Sequence, residues 1–424
     1  MIAEKTNTAQ NIINAITPSA GKVDFISDDV LSKALLYLEN KGIPTNKDED
    51  YKYCNLDYFL KKEFKNLSQK LQEVASVNEF KLADTITLVV LNGNFNERLS
   101  DKIILKGLHI NSFKNLDTEG KKDIASLANP ESDAFIALNT AFSGEGFHLK
   151  IEKNEQLQIP LHILYISSSH DQALVNPRNI IELGENSEAT IIEHQVLAGR
   201  GKVFTNFLSE KIVKDNAKLI TYTIQDEKET GFSVNTNQVR LSRNGKYENT
   251  TVTLSGQLVR NNHNVELAGE NSEAHLNGLF VTSNTQLVDN HTLMDHQVPN
   301  CQSNELYKGI INDRSTGVFN GKIFVRKDAQ KTNAYQSSKN ILLSDDGTIN
   351  TKPQLEIYAD DVKCSHGTST GKIDENAMFY LNARGIGKET AKRILLNAFA
   401  GEVLDEIEIE SLKQFVENKL GFNR

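Results

Sequence analysis

Over roughly 220 residues, from about 148 to 370, helical periodicity is scarce and alternation takes its place. In Tyr247–Ser255, Thr250, Val252 and Leu254 fall on one side of an extended chain and Asn249, Thr251 and Thr253 on the other. Gly, Asn, Asp and Ser punctuate these runs, and asparagine alone occurs eleven times between residues 231 and 290. So long a stretch of strands without helices leaves a sandwich, a barrel or a solenoid. A repeat discriminates among them. The hexapeptide GENSEA occurs at Gly184–Ala189 and again at Gly269–Ala274. Similar turn-then-strand passages lie at Asp215–Leu219, Asn244–Glu248, Asp313–Phe319 and Asp345–Asn350, near thirty residues apart with one longer gap before 313. A period of about 20–50 residues marks solenoids, and polar turns stacked with β-branched strands fit a parallel β-helix. Chance similarity between two polar surface turns is the competing reading.

The flanks differ in texture. Residues 1–147 mix helices and short strands into an α+β region. Leu31, Leu35 and Leu38 give Val30–Leu38 a helical stripe, Thr85–Leu91 reads as a strand ended by Asn92 and Gly93, and Glu131–Phe147 reads as a helix running into a turn. Residues 148–370 are the β core. Residues 371–424 turn helical, with a stripe at Ala391, Ile394, Leu395, Ala398 and Phe399 ended by Gly401, and a second at Leu412, Phe415, Val416 and Leu420.

Composition removes several functions. The net charge of −9 opposes general nucleic-acid binding and docking to anionic lipid. No apolar run approaches the roughly 18–20 residues that span a bilayer, and the start, MIAEKTNTAQNI, lacks the basic and apolar regions of a signal peptide. Three scattered cysteines, Cys54, Cys301 and Cys364, do not make a disulfide framework. A cytoplasmic protein with reduced thiols is expected.

The residues richest in chemistry are Cys364 and His366, in LEIYADDVKCSHGTSTG (Leu355–Gly371). In extended chain they share one side of a strand, and thiolate with imidazole suits iron, copper or zinc. Two ligands do not complete a tetrahedral shell, so the others would come from a partner, a second copy or the incoming cluster. Elsewhere the motifs are weaker. Gly367–Ile373, GTSTGKI, imitates a phosphate loop but has three residues between its glycines and Ile373 where a hydroxyl is needed. ARGIGKETAKRIL (Ala383–Leu395) resembles half of a helix-hairpin-helix, yet residues 371–424 carry 8 Lys/Arg against 9 Asp/Glu, and a glycine turn between packed helices is the simpler reading. In DNHTLMDHQ, Asp289, His291, Asp295 and His296 could ligate a metal or serve as ordinary polar-ladder partners. A metal-dependent β-helix enzyme therefore stays open as an alternative.

Several longer segments together resemble the SufB/SufD family of iron–sulfur cluster assembly proteins, on its SufD side. They are ALNTAF (Ala137–Phe142), YKGIINDRSTGVFNGKIFV (Tyr307–Val325), AQKTNAYQSSKNILLS (Ala329–Ser344), KPQLEIYADDVKCSHGTSTG (Lys352–Gly371) and FYLNARGI (Phe379–Ile386). DEDYKYCNL (Asp48–Leu56) is similar to a Glu-Glu-Trp-Lys-Tyr-Thr element of the family, with Tyr51 for its tryptophan and Cys54 for its threonine. The resemblance implies a mainly β fold, a right-handed parallel β-helix between the α+β and helical regions. It implies a non-catalytic scaffold of the SufBCD complex that pairs with SufB through the β-helix and binds the SufC ATPase on its C-terminal helices. A transient iron–sulfur cluster or iron would sit at the shared interface, where His366, and with it Cys364, would be this chain's ligands. No nucleotide would bind this chain. Arg384, Ile386, Ile394, Leu395 and Phe399 are the candidate partner contacts, a homodimer in isolation is compatible, and a SufB-like scaffold is the alternative within the family.

Overall fold

The structure, a computed structural model, describes residues 2–16, 23–64, 67, 70–103 and 105–421. Its centre is a parallel β-solenoid of about eight turns. Each turn places one strand in each of two sheets. The first sheet runs from Ile86–Leu91 through Leu161–Ser167, Glu188–Leu197 and their successors to Val362–Gly371. The second runs from Leu108–Ser112 through Phe147–Ile151 and Arg178–Leu183 to Thr348–Thr351 and Gln354–Ile357. Neighbouring rungs stay in register, as Leu219, Tyr247 and Ala274 show by aligning across three successive strands.

The GENSEA repeat is explained by one corner of this coil. Asn186, Asn216, Asn244 and Asn271 adopt left-handed backbone conformations, with φ of 58°, 59°, 55° and 59°, which asparagine tolerates better than other side-chain-bearing residues. Their side chains form a ladder up the corner: Asn186 donates to Asn154 (2.8 Å), Asn216 to Asn186 (3.0 Å), Asn244 to Asn216 (2.7 Å) and Asn271 to Asn244 (3.2 Å). The longer gap before 313 has a simple origin. Asp313 belongs to the opposite corner, where its carboxylate accepts from the Asn284 backbone at 2.9 Å and its carbonyl from Ser344 at 2.5 Å.

Alternation in Tyr247–Ser255 is real, with an unusual sense. Asn249, Thr251 and Thr253 point into the coil, where Asn249 donates to Thr221 (2.8 Å), Thr251 to Asn249 (2.8 Å) and Thr253 to Gln225 (2.6 Å). Val252 faces out and is still buried, because the C-terminal helices cover that face. Deeper in the coil, Lys211 and Glu193 form an ion pair of 2.8 Å with neither side chain exposed.

Both outer faces are covered. Helices Asp28–Lys41, Leu56–Glu63 and Ala134–Phe142 bury Leu38, Leu60, Phe135 and Leu138 against Phe204, Phe232 and Leu258 of the second sheet. Helices Lys388–Leu404 and Glu410–Leu420 bury Val403, Leu404, Leu412 and Val416 against Ile192, Ile220, Ile224 and Val252 of the first. The sequence places a helix end at Gly401; the helix continues to Leu404 instead, because Val403 and Leu404 gain more by packing on the sheet than one internal glycine costs, about 1 kcal/mol. The buried face is therefore Ala391, Ala400, Val403 and Leu404, while Ile394 is exposed.

The ends of the coil differ. At the N-terminal end the sheets finish in antiparallel strands, the two-residue Asn94–Phe95 and Leu108–Ser112, and the strand Ile86–Leu91 joins the first sheet parallel to Leu161–Ser167. At the C-terminal end, among the described residues, Thr348–Thr351 and Gln354–Ile357 of the second sheet and Val362–Gly371 of the first each pair on one side only. Among the described residues, no helix is long and apolar enough to cross a membrane.

Candidate functional site

That last strand carries Cys364 and His366. Ten residues pair parallel with the preceding rung, from Thr332↔Val362 to Ile341↔Gly371. Cys364 stands beside the buried Ala334, and its side chain, half-buried, packs against the main core. His366 stands beside the buried Gln336 and is exposed. The two share the inward-facing side of the strand, about 6.6 Å apart along it, at the mouth of the coil. From Ser365 to Gly371 every residue is exposed. The facing sheet ends there in two short pieces, Thr348–Thr351 and Gln354–Ile357, interrupted at Pro353, which has no N–H to give a ladder. Nothing lies within 4 Å of where a Cβ on Gly367 would sit.

Burial pushes the Cys364 thiol up from its ordinary range, so in the isolated chain it is a thiol rather than a thiolate at neutral pH and needs a metal or cationic partner to become a good ligand. Asp360 and Asp361 lie exposed at the corner leading into the strand, held by the Lys331 backbone N–H on the Asp361 carbonyl at 2.6 Å. Exposed apolar side chains, Tyr335, Ile357 and Tyr358, surround the same end of the coil.

The other sequence motifs resolve into structure. GTSTG (Gly367–Gly371) lies within the strand, so no phosphate loop exists there. In DNHTLMDHQ the groups are spent elsewhere: Asp289 accepts from Arg260 at 2.7 Å and lies 2.9 Å from His291, Asp295 holds Arg326 at 2.6 Å, and His296 faces inward to Ser303 at 2.9 Å. Cys54 and Cys301 are buried, and burial raises both thiols. Tyr51 gains a role that its sequence could not show. Its hydroxyl donates to Asp133 at 2.5 Å, the residue capping Ala134–Phe142, and its ring lies 3.9 Å from the Arg260 guanidinium. These residues line a cleft of about 730 Å³ between the N-terminal helices and the second sheet.

One cluster escaped the sequence reading, because its members are far apart in the chain. Asp123, His148 and Glu182 bring ligand atoms within 4.8 Å of one another. Glu182 is already balanced, however: His148, then Lys150 at 3.4 Å and Lys214 at 3.9 Å, hold its carboxyl down to about 2, and a metal would have to displace both ammonium groups.

Of the candidate docking residues, Arg384 and Ile394 are exposed and Ile386 and Leu395 half-buried. The Arg384 guanidinium lies 4.9 Å over the ring of Tyr380, which with Phe379 is exposed on Glu375–Ala383, a helix with no buried residue. Phe399 faces the coil, where Lys308 lies 4.8 Å over its ring and donates to its carbonyl at 2.7 Å. The Ala383–Leu395 stretch is a helix end, a turn with Gly385 at φ +88° and a helix start at Lys388.

Comparison with known proteins agrees with this architecture. Residues 165–399 match the family described as SUF system FeS cluster assembly, SufBD core domain, and residues 23–163 match the SufBD protein N-terminal region. The chain is 30% identical over 390 residues to the iron–sulfur cluster assembly protein SufD of Escherichia coli strain K12, covering 91% of this chain and 90% of the relative. It is 29% identical over 326 residues to SufD of Bacillus subtilis strain 168, covering 76% and 74%. The chloroplastic protein ABCI7 of Arabidopsis thaliana is 28% identical over 388 residues, covering 88% and 81%.

Proposed function

The chain belongs to the SufBD family of iron–sulfur cluster assembly proteins, and from that premise we propose that it is the SufD-type scaffold of a cytoplasmic SufBCD complex. It performs no turnover and binds no nucleotide of its own. Its strand Val362–Gly371 pairs with SufB, and its C-terminal helices capture the SufC ATPase. His366, assisted by Cys364, supplies ligands to the iron or nascent cluster passing through the shared interface. The cluster is cargo here, not a resident cofactor.

One observation carries this reading. Among the described residues, three strands end the solenoid with an unpaired edge, and the longest of them, ten residues against four and four, bears the soft ligand pair. An open edge offers N–H and C=O groups to a like strand, so pairing brings a second subunit's residues alongside His366. The exposed Tyr335, Ile357 and Tyr358 supply apolar area next to that edge. Without SufB, the same edge offers itself to a second copy of this chain.

Reconstitution of the three-component complex tests the site. His366→Ala is expected to leave the fold and complex yield intact, since the side chain is exposed, while iron and sulfide cease to accumulate. Normal accumulation in that variant refutes the assignment. Docking has a separate test. Ile394→Asp places a charge at an exposed position of Lys388–Leu404 and is expected to weaken SufC coprecipitation at least tenfold with the circular dichroism melt unchanged. Wild-type recovery of SufC would move the docking surface elsewhere.

A further inference from the structure

Inside the first sheet, one column of inward-facing residues leads directly to His366. Register places Glu305 beside Gln336 and Gln336 beside His366 on three successive rungs. Glu305 and Gln336 are both buried. Gln336 Nε2 donates to Glu305 Oε2 at 2.6 Å. An amide carries its nitrogen and oxygen on opposite sides, so with the nitrogen turned toward Glu305 the oxygen is turned the other way along the column. That Oε1 is buried and has no hydrogen-bond partner among the described residues. The next rung, about 4.8 Å farther on, belongs to His366.

The position of Gln336 is built in from the opposite sheet. Gly321 faces it, and a Cβ there would stand 2.6 Å from Gln336 Cδ. The missing side chain is the space that the glutamine occupies. A buried acceptor left without a donor costs about 1–3 kcal/mol, and the nearest side chain in the column able to donate is an imidazole.

We propose that Gln336 is a positioning residue for His366: its buried Oε1 accepts the ring N–H of His366, selects one imidazole tautomer, and leaves the lone pair of the other ring nitrogen facing out of the coil. A histidine that ligates metal commonly has its second nitrogen held in this way, and loss of such a partner costs about 10–100-fold in metal affinity. The inference rests on His366 being the ligand, and it adds that the ligand is prepared by the solenoid before a partner arrives.

The test reads the tautomer directly. Nitrogen-detected NMR on the full chain labelled in the histidine ring, with the His366 signal assigned by its loss in His366→Ala, is expected to show a single neutral tautomer. In Gln336→Met and in the shorter Gln336→Asn, which keeps an amide but withdraws it, the signal is expected to revert to the mixed tautomers of an exposed imidazole. Gly321→Ala, which displaces Gln336 without altering it, is expected to do the same. In the reconstituted complex, Gln336→Met is expected to lower retained iron by about tenfold at unchanged complex yield. Mixed tautomers in the wild-type chain overturn the proposal whether or not any variant folds, and so does a single tautomer that persists in the folded Gln336 variants. The two readings fail separately. Normal cluster loading in His366→Ala removes the ligand assignment, while a Gln336-dependent tautomer would still establish the contact.

Discussion

Replacing Glu210 by alanine is expected to destabilise the protein by about 3–5 kcal/mol, the range for stripping one partner from a buried ion pair. Glu210 and Arg178 form such a pair at 2.7 Å with neither side chain exposed. The carboxylate also accepts from the backbone N–H groups of Ala125, Leu127 and Ala128 at 3.0, 2.9 and 3.1 Å. Arg178 in turn donates to Thr140 at 3.1 Å, and the adjacent Asn139 donates to the carbonyls of Pro177 and Asn206 at 2.9 and 2.8 Å. One carboxylate thus fastens the loop before Ala134–Phe142, and that helix, to the second sheet. Alanine leaves a guanidinium and three N–H groups without acceptors. Glutamine keeps an acceptor but loses the charge, so it should cost less. Urea titration followed by circular dichroism measures both. A loss under about 1 kcal/mol for Glu210→Ala would mean that water or a rearranged neighbour replaces the carboxylate.

Acid is expected to weaken the fold well before ordinary carboxylates titrate. Burial holds His162, His194 and His263 down to about 3 and His296 down to about 4. Groups depressed in the folded state contribute stability that is present above about pH 6.5 and lost as pH falls below it, because the unfolded chain takes up the protons first. Two buried carboxyls act in the opposite sense. Glu227 and Glu305 are pushed up to about 7, so each disfavours the folded state as pH rises from about 4.5 to 7. Four histidines against two carboxyls leave a net uptake of about two protons on unfolding between pH 4.5 and 6.5. The slope is then on the order of 2–3 kcal/mol per pH unit, and stability levels off near pH 7. The weakest region should be the C-terminal helix, because His194 lies against Phe415 at 5.2 Å and beside His162 at 3.3 Å. A urea midpoint that stays flat or rises from pH 6.5 to 5 would contradict this balance. In His194→Phe the acid slope should shrink by about one proton's worth.

The architecture was legible in the sequence because a solenoid writes its period into its corners. Asn186 and Asn271, which need left-handed backbone, sit at the same place in both copies of GENSEA. Strand spacing and alternation followed from the same repeat. What alternation could not tell was which side faced inward. Both outer faces are covered by helices, so Val252 and Asn249 are equally buried, and hydropathy alone would have put valine inside. The helix carrying Ala391–Phe399 was visible, but its buried side was not, because contact with Ile220 and Val252 fixes that side rather than the local stripe. At the candidate site, Cys364 and His366 were found by chemistry and spacing. Gln336 was not, since it lies thirty residues earlier and only strand register brings it beside His366. Tyr51 was equally opaque: an apparent departure from the family pattern proves to be a cap-and-cation contact with Asp133 and Arg260.

The unequal finish of the two coil ends bears on how many neighbours the proposed pairing allows along the axis. A parallel coil bare at both ends would be a monomer unit for an endless fibre, each copy templating the next. Here the start ends in antiparallel strands and the finish in parallel ones, Thr348–Thr351, Gln354–Ile357 and Val362–Gly371, so the two ends do not template each other. Under the pairing proposed above, in which parallel end meets parallel end, growth by this route stops at two and the imidazole of His366 has a fixed and finite company.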